Sequence, residues 1–208
     1  MFGLAKQELD VLKRLSTPQK IQDFLDDLPI NHEKEGDTYM SPRRVLREQK
    51  AHCIEGALLA ATAFWLQGKK PLIMDFTTKK GDEDHVVALF QENGYWGAIS
   101  KTNHAILRYR DPIYRTLREL ALSYFHEYFL NDTGEKTLRT YSRPLNLERF
   151  GEDWITAEED LWDIALYLDI LPHFPLIPTE NRSRIRRASP FERKATLQIE
   201  WSKKDKRT

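Results

Sequence analysis

One cysteine and six histidines are spread over 208 residues. Of these, Cys53 and His85 stand where chemistry can be assembled. The thiol opens or lies within a run of small residues, Cys53-Ile54-Glu55-Gly56-Ala57-Leu58-Leu59-Ala60-Ala61, and the imidazole opens a strand-forming segment, His85 to Phe90. A thiol is a useful nucleophile only as thiolate, so it needs a base or a cation nearby, and a histidine on a facing strand supplies one. The other fate of a lone cysteine is a small buried core residue. Gly56, Ala57, Ala60 and Ala61 let a sheet approach the helix axis closely, which would bring a strand side chain to Cys53. Such an approach would offset the roughly 1 kcal/mol that Gly56 costs a helix relative to Ala.

The elements that must position these two residues follow from hydrophobic spacing and breakers. Leu4, Leu9, Leu12 and Leu15 fall near one helical face, and Ser16-Thr17-Pro18 ends that helix and caps a second, which runs through Ile21, Phe24, Leu25 and Leu28 to Pro29. Ser41-Pro42 repeats the start signal. From Pro42 to Gln67 there is no further proline, so the segment is either one long helix or two joined near Lys50 to Cys53. One continuous helix would already bond the Cys53 N–H and argue against catalysis, whereas a break at Lys50 to His52 would favour it. Strands are expected at Pro71–Phe76, Asp84–Phe90 and Tyr95–Ser100, the last two forming an antiparallel hairpin through Glu92-Asn93-Gly94. Amphipathic helices are expected over Ile113–Leu130 and Ala157–Leu168. Pro172, Pro175 and Pro178 then exclude regular structure until a possible strand at Thr196–Trp201. The fold class is thus α+β: a small antiparallel sheet packed against a central Cys-bearing helix, with flanking helices.

Hairpin register decides what can orient His85. A four-residue loop, Gln91 to Gly94, sets His85 opposite Ser100, whereas a two-residue turn at Asn93-Gly94 sets it opposite Thr102 and lets Asn103 come round through a bulge. Phosphate-loop, dinucleotide-binding, zinc-protease and Gly-x-Ser-x-Gly signatures are absent. Asp82-Glu83-Asp84-His85 carries metal-ligand types, but consecutive extended residues point alternately, and a solvated acidic turn suits them better. His52 is expected to point away from Cys53. Arg108, Arg110, Arg115 and Arg118 are expected to pair with acidic groups of the body.

The order of these features resembles the transglutaminase-like superfamily: a Cys-x-acid-Gly-Ala helix, a strand, a strand beginning with His, a turn, and a strand carrying Tyr95-Trp96-Gly97. The resemblance covers roughly Ser41 to Tyr109 with the following helix. It implies that Cys53 is the nucleophile and His85 the general base of a papain-type dyad that attacks an amide and passes through an acyl-enzyme. Where the family carries an aspartate after the last tryptophan, this chain has Ser100, leaving Ser100 or Asn103 to orient His85. A second oxyanion donor would come from Gln49, since no tryptophan precedes Trp65. Two functions follow: a cysteine hydrolase or amidase acting on a peptide or small amide, and a domain without catalysis that binds a protein partner. No calcium or other cofactor is implied.

Composition frames these readings. The 32 basic and 32 acidic residues cancel, so net charge gives no argument for nucleic acid or membrane as partner. The balance is uneven along the chain: residues 182–208 hold ten Lys or Arg and three acids, leaving residues 1–181 acidic. The organisation expected is a helical segment over 1–40, a transglutaminase-like domain over 41–181 and a basic tail over 182–208. The apolar run Ile54–Leu66 is shorter than the roughly 20 residues that span a bilayer, and Met1–Leu15 carries acids, unlike a signal peptide. A single cysteine excludes an intrachain disulfide and suits a reducing, cytoplasmic setting.

Overall fold

The computed structural model describes residues 2–33 and 36–202. In chain order its elements are α1 (Lys6–Arg14), α2 (Pro18–Asp26), α3 (Pro42–Glu48), α4 (Cys53–Leu66), β1 (Leu72–Thr77), β2 (His85–Glu92), β3 (Tyr95–Ile99), β4 (Arg110–Tyr114), α5 (Leu117–Phe125), β5 (Thr140–Ser142), β6 (Leu145–Asn146), α6 (Trp162–Ile170), β7 (His173–Pro175) and α7 (Pro190–Arg193). The helix starts obey the capping signals: Thr17 Oγ1 accepts from the Lys20 N–H and Ser41 Oγ from the Arg44 N–H, each with proline at the first helical position.

One antiparallel sheet, ordered β4-β3-β2-β1-β5-β7 with β6 beside β1, divides the core into two layers. Strand alternation sends Val86, Ala88, Phe90, Ile73 and Ile99 to the face covered by α4. Val87, Leu89, Met74, Phe76 and Ala98 go to the face covered by α5 through Leu120, Ala121 and Tyr124. Helix α4 is buried from Ile54 to Phe64 because α1, α2 and α6 cover it on the side away from the sheet, through Leu12, Ile21, Leu25, Ile164 and Leu168. The α+β class is therefore as expected, and the N-terminal helices share one core with the Cys-bearing helix.

Four local expectations are corrected. Residues 110–114 form an edge strand rather than a helix start, and α5 begins only at Leu117, where Thr116 caps it by accepting from the Glu119 N–H. Pro112 lies in this edge strand, where a missing N–H is tolerated. Pro175 likewise closes the edge strand β7, which pairs with β5 despite its proline. The segment Ala157–Leu168 starts its helix later, at Trp162. Finally, Thr196–Trp201 is no strand: a 3₁₀ turn covers Lys194–Leu197, and Ile199 makes a single bridge to His104. Among the described residues, no helix is long and apolar enough to cross a membrane.

Candidate active site

Between α3 and α4 the chain turns out of the helix. Gln49 takes a left-handed backbone (φ 53°, ψ 41°), and Ala51 forms a parallel bridge with Ile30. Its N–H donates to the Pro29 carbonyl at 3.1 Å, and its carbonyl accepts from the Asn31 N–H at 3.0 Å. His52 is extended as N-cap, and Cys53 is the first residue of α4. Of the two arrangements open to Pro42–Gln67, the broken one exists. The Cys53 N–H has no acceptor within the helix, and the positive end of the helix dipole lies at its sulfur. A close approach does occur at Gly56, where an added Cβ would lie 2.6 Å from Lys101 Cβ. The neighbour is the segment after β3 rather than a strand. The buried Lys101 crosses the helix there, and its ammonium donates to the Leu25 and Leu28 carbonyls.

The hairpin uses the two-residue turn: Glu92 pairs with Tyr95, and Asn93 and Gly94 both have positive φ (51° and 83°). Ser100 nevertheless reaches His85, from the diagonal position on the same face of the sheet: its Oγ lies 2.8 Å from His85 Nε2. The same hydroxyl donates to the Leu107 carbonyl at 2.5 Å. Its one proton being so used, Ser100 accepts from Nε2–H, which leaves His85 Nδ1 as the unprotonated nitrogen for the thiol. Ser100 is itself fixed, because the Gln22 amide bonds both its N–H (3.0 Å) and its carbonyl (2.8 Å). Asn103 lies elsewhere. Its side chain brackets the Trp201 backbone, donating to the carbonyl at 2.9 Å and accepting from the N–H at 2.8 Å, so it holds the C-terminal segment instead of His85. Gln49 is also not at the site, since its amide folds back to the Leu46 carbonyl.

His52 corrects the expectation that it points away. Its extended N-cap backbone turns Nδ1 to within 3.9 Å of Cys53 Sγ, while Nε2 lies 2.7 Å from the Thr38 carbonyl and 3.4 Å from carboxylate oxygens of Glu33 and Glu55. Burial alone would strip its proton, but the sulfur and Glu55 together push the imidazole up to about 11. Burial also works against the thiolate, yet hydrogen bonds and charge from His52 and His85 outweigh it and hold the Cys53 thiol well below its ordinary value. Glu55, fully buried at the third position of α4, is the anchor of this arrangement. It accepts from the Met40 and His52 N–H groups, the Thr38 hydroxyl and the Asn31 amide. The N-cap-plus-Glu spacing of residues 52–55 is the sequence signal that could have revealed both the helix start and His52.

Cys53, partly exposed, and the buried His85 line one cavity of about 780 Å³. Asp75, on β1, lines it too, with Oδ2 3.1 Å from His173 Nε2. The acids before β2 are partly committed to their turn: Asp84 accepts from the Thr78 N–H and Asp82 from the Thr137 hydroxyl. Among the described residues, no group of three or more His, Cys, Asp or Glu side chains is set to hold a metal ion. Of the arginines, Arg108 pairs with Asp26 and Glu200, and Arg110 pairs with Glu127. The assembly brings together a thiol at a helix start, an imidazole 3.9 Å from it, a second imidazole held on Ser100 in the same cavity, and a Cys53 N–H without an acceptor among the described residues, a set of groups whose chemistry suits acyl transfer. No protein-family model matches the chain, and no curated protein matches it in sequence.

Proposed function

We propose that this protein is a transglutaminase-like cysteine hydrolase acting on amide bonds in the cytoplasm, with Cys53 as nucleophile and His85 as general base. The observation that carries the reading is Cys53 at a broken-helix start, with His52 Nδ1 3.9 Å from its sulfur and His85, held on Ser100, lining the same cavity. In the first half-reaction the sulfur, its proton already taken up by His85 Nδ1, attacks the carbonyl carbon as a thiolate. The oxyanion is met by the Cys53 N–H, and collapse breaks the C–N bond as His85 returns the proton to the departing amine. In the second, water gives a proton to His85 as its oxygen attacks the thioester, and collapse breaks the C–S bond, releasing the carboxylic acid and the Cys53 thiolate with the proton left on His85 Nδ1. His52 stays charged throughout and favours the thiolate.

The neutral Ser100 at the orienting position favours the second reading, a domain of the same fold that binds a partner without turnover. Alkylation of the sole thiol by iodoacetamide separates the two. The hydrolase reading predicts fast labelling below pH 7 that slows in His85→Ala; labelling confined to about pH 8.5 and above in the wild type supports the binding domain.

A further inference from the structure

Seven carboxylates line the cavity that holds Cys53, and among the described residues none of them is paired to a lysine or arginine. Lys101, which also lines it, spends its ammonium on the Leu25 and Leu28 carbonyls. Asp75 is the deepest of the acids: it is 4% exposed, His173 occupies Oδ2, and Oδ1 accepts no hydrogen bond among the described residues. Burial, with the charges of Asp84 and the thiolate added, pushes this carboxyl up to about 6 even beside His173, so the positive charges of the lining, His52 at the sulfur and Lys101 on the Leu25 and Leu28 carbonyls, do not offset the burial of Asp75. A separate observation points the same way. His32 Nε2, lining the same cavity, is buried without a partner and is available to accept from a donor that the protein does not supply.

On the reading that Cys53 is a nucleophile, we infer that its substrate is an amide bearing a cationic side chain, an ammonium or guanidinium, beside the scissile carbonyl, with Asp75 as the specificity-determining acceptor and Asp84 at the mouth of the cavity. A donor-only cation gives Asp75 Oδ1 a partner and lowers the mutual repulsion of the acids. A neutral side chain leaves that repulsion in place, and an anionic one adds to it. The acids therefore select by charge, while the reaction stays with Cys53 and His85.

The test is covalent labelling of Cys53, read by intact mass, with short peptidyl chloromethyl ketones that differ only in a terminal lysine or its uncharged isostere norleucine. Iodoacetamide serves as the small neutral reference. The expected result is labelling at least about tenfold faster by the lysine probe, with the ratio falling toward one in Asp75→Asn and at high salt. Taking the ratio within each protein cancels any change in the thiol itself, and Asp84→Asn, at an exposed position, stands in if Asp75→Asn does not fold. Fast, His85-dependent labelling by iodoacetamide with a probe ratio near one would overturn the specificity and leave the nucleophile standing. Slow labelling by all three reagents would overturn both.

Discussion

His52 and His85 face the cavity of Cys53 from two differently built regions, His52 with Nδ1 3.9 Å from the sulfur and His85 lining the same cavity. His52 sits between the sulfur, which faces Nδ1, and the Glu55 carboxylate, and these two raise its ring against burial, while Nε2 also faces the Thr38 carbonyl and Glu33. His85 rests on a hydroxyl whose own proton is already committed to the Leu107 carbonyl, which fixes the ring's tautomer and leaves Nδ1 free. The contrast assigns them different work. A permanent cation makes a thiolate but cannot carry a proton away, and a ring with one free nitrogen can do both halves of a proton transfer. The absence of a carboxylate beside His85 is then less damaging than it is in a dyad with one imidazole, because the charge that stabilises sulfur comes from the other side.

The largest expected effect comes from breaking the His52 side at its anchor. Glu55→Gln removes a buried charge that accepts from four other residues and should cost about 3 kcal/mol or more of stability, measured by urea unfolding. A loss below about 1 kcal/mol would mean that Glu55 is not the anchor. Gly56→Ala places a methyl against the Lys101 stem and should cost about 1–3 kcal/mol by the same assay, without altering the pH profile of the thiol. Ser100→Ala breaks two neutral hydrogen bonds, to His85 and to the Leu107 carbonyl, so amide turnover should fall about fivefold with the thiol profile unchanged; a loss as large as that of His85→Ala would give Ser100 a greater role than orientation.

The ion pair also shapes stability against pH, and the signs follow from the two shifts. His52 is raised from 6.5, so its contribution is full below 6.5 and fades as pH climbs toward about 11. Cys53 is lowered from 9.0, so its contribution is full above 9.0 and fades as pH falls through the folded value. In Cys53→Ser the His52 contribution persists through Glu55, so the stability difference between wild type and Cys53→Ser isolates the thiol: it should climb as pH rises toward 9.0 and level off above it. A difference that stays flat below 9.0 would show that folding does not lower the thiol.

How much of this was legible in the chain depends on how local each signal is. The caps at Thr17 and Ser41, the Asn93-Gly94 turn and the first three strands are written in neighbouring residues, and so was the fork at Lys50 to His52. Its resolution was not, because the break depends on Ala51 bridging to Ile30, some twenty residues away in sequence. Ser100 was reachable from hairpin geometry, although by a diagonal contact rather than the direct pair. Asn103 looked equivalent until the C-terminal segment claimed it through Trp201. Helical geometry would point His52 away from Cys53, whereas it is the extended residue before the helix. Asp75 and His173 meet across 98 residues, and no local pattern announces such a pair. Strand β4 was hidden by Pro112 and its flanking charges, which only an edge position tolerates.

The central claim is that Cys53 is a thiolate at neutral pH because His52 is a fixed cation. Thiolate ultraviolet absorbance across pH, with the Cys53→Ser protein as baseline, measures it directly because the chain has one thiol. The expected result is a wild-type midpoint well below the ordinary thiol range of about 8.5, moved up toward that range in His52→Gln. A wild-type midpoint near 8.5, or one that His52→Gln leaves in place, would contradict it.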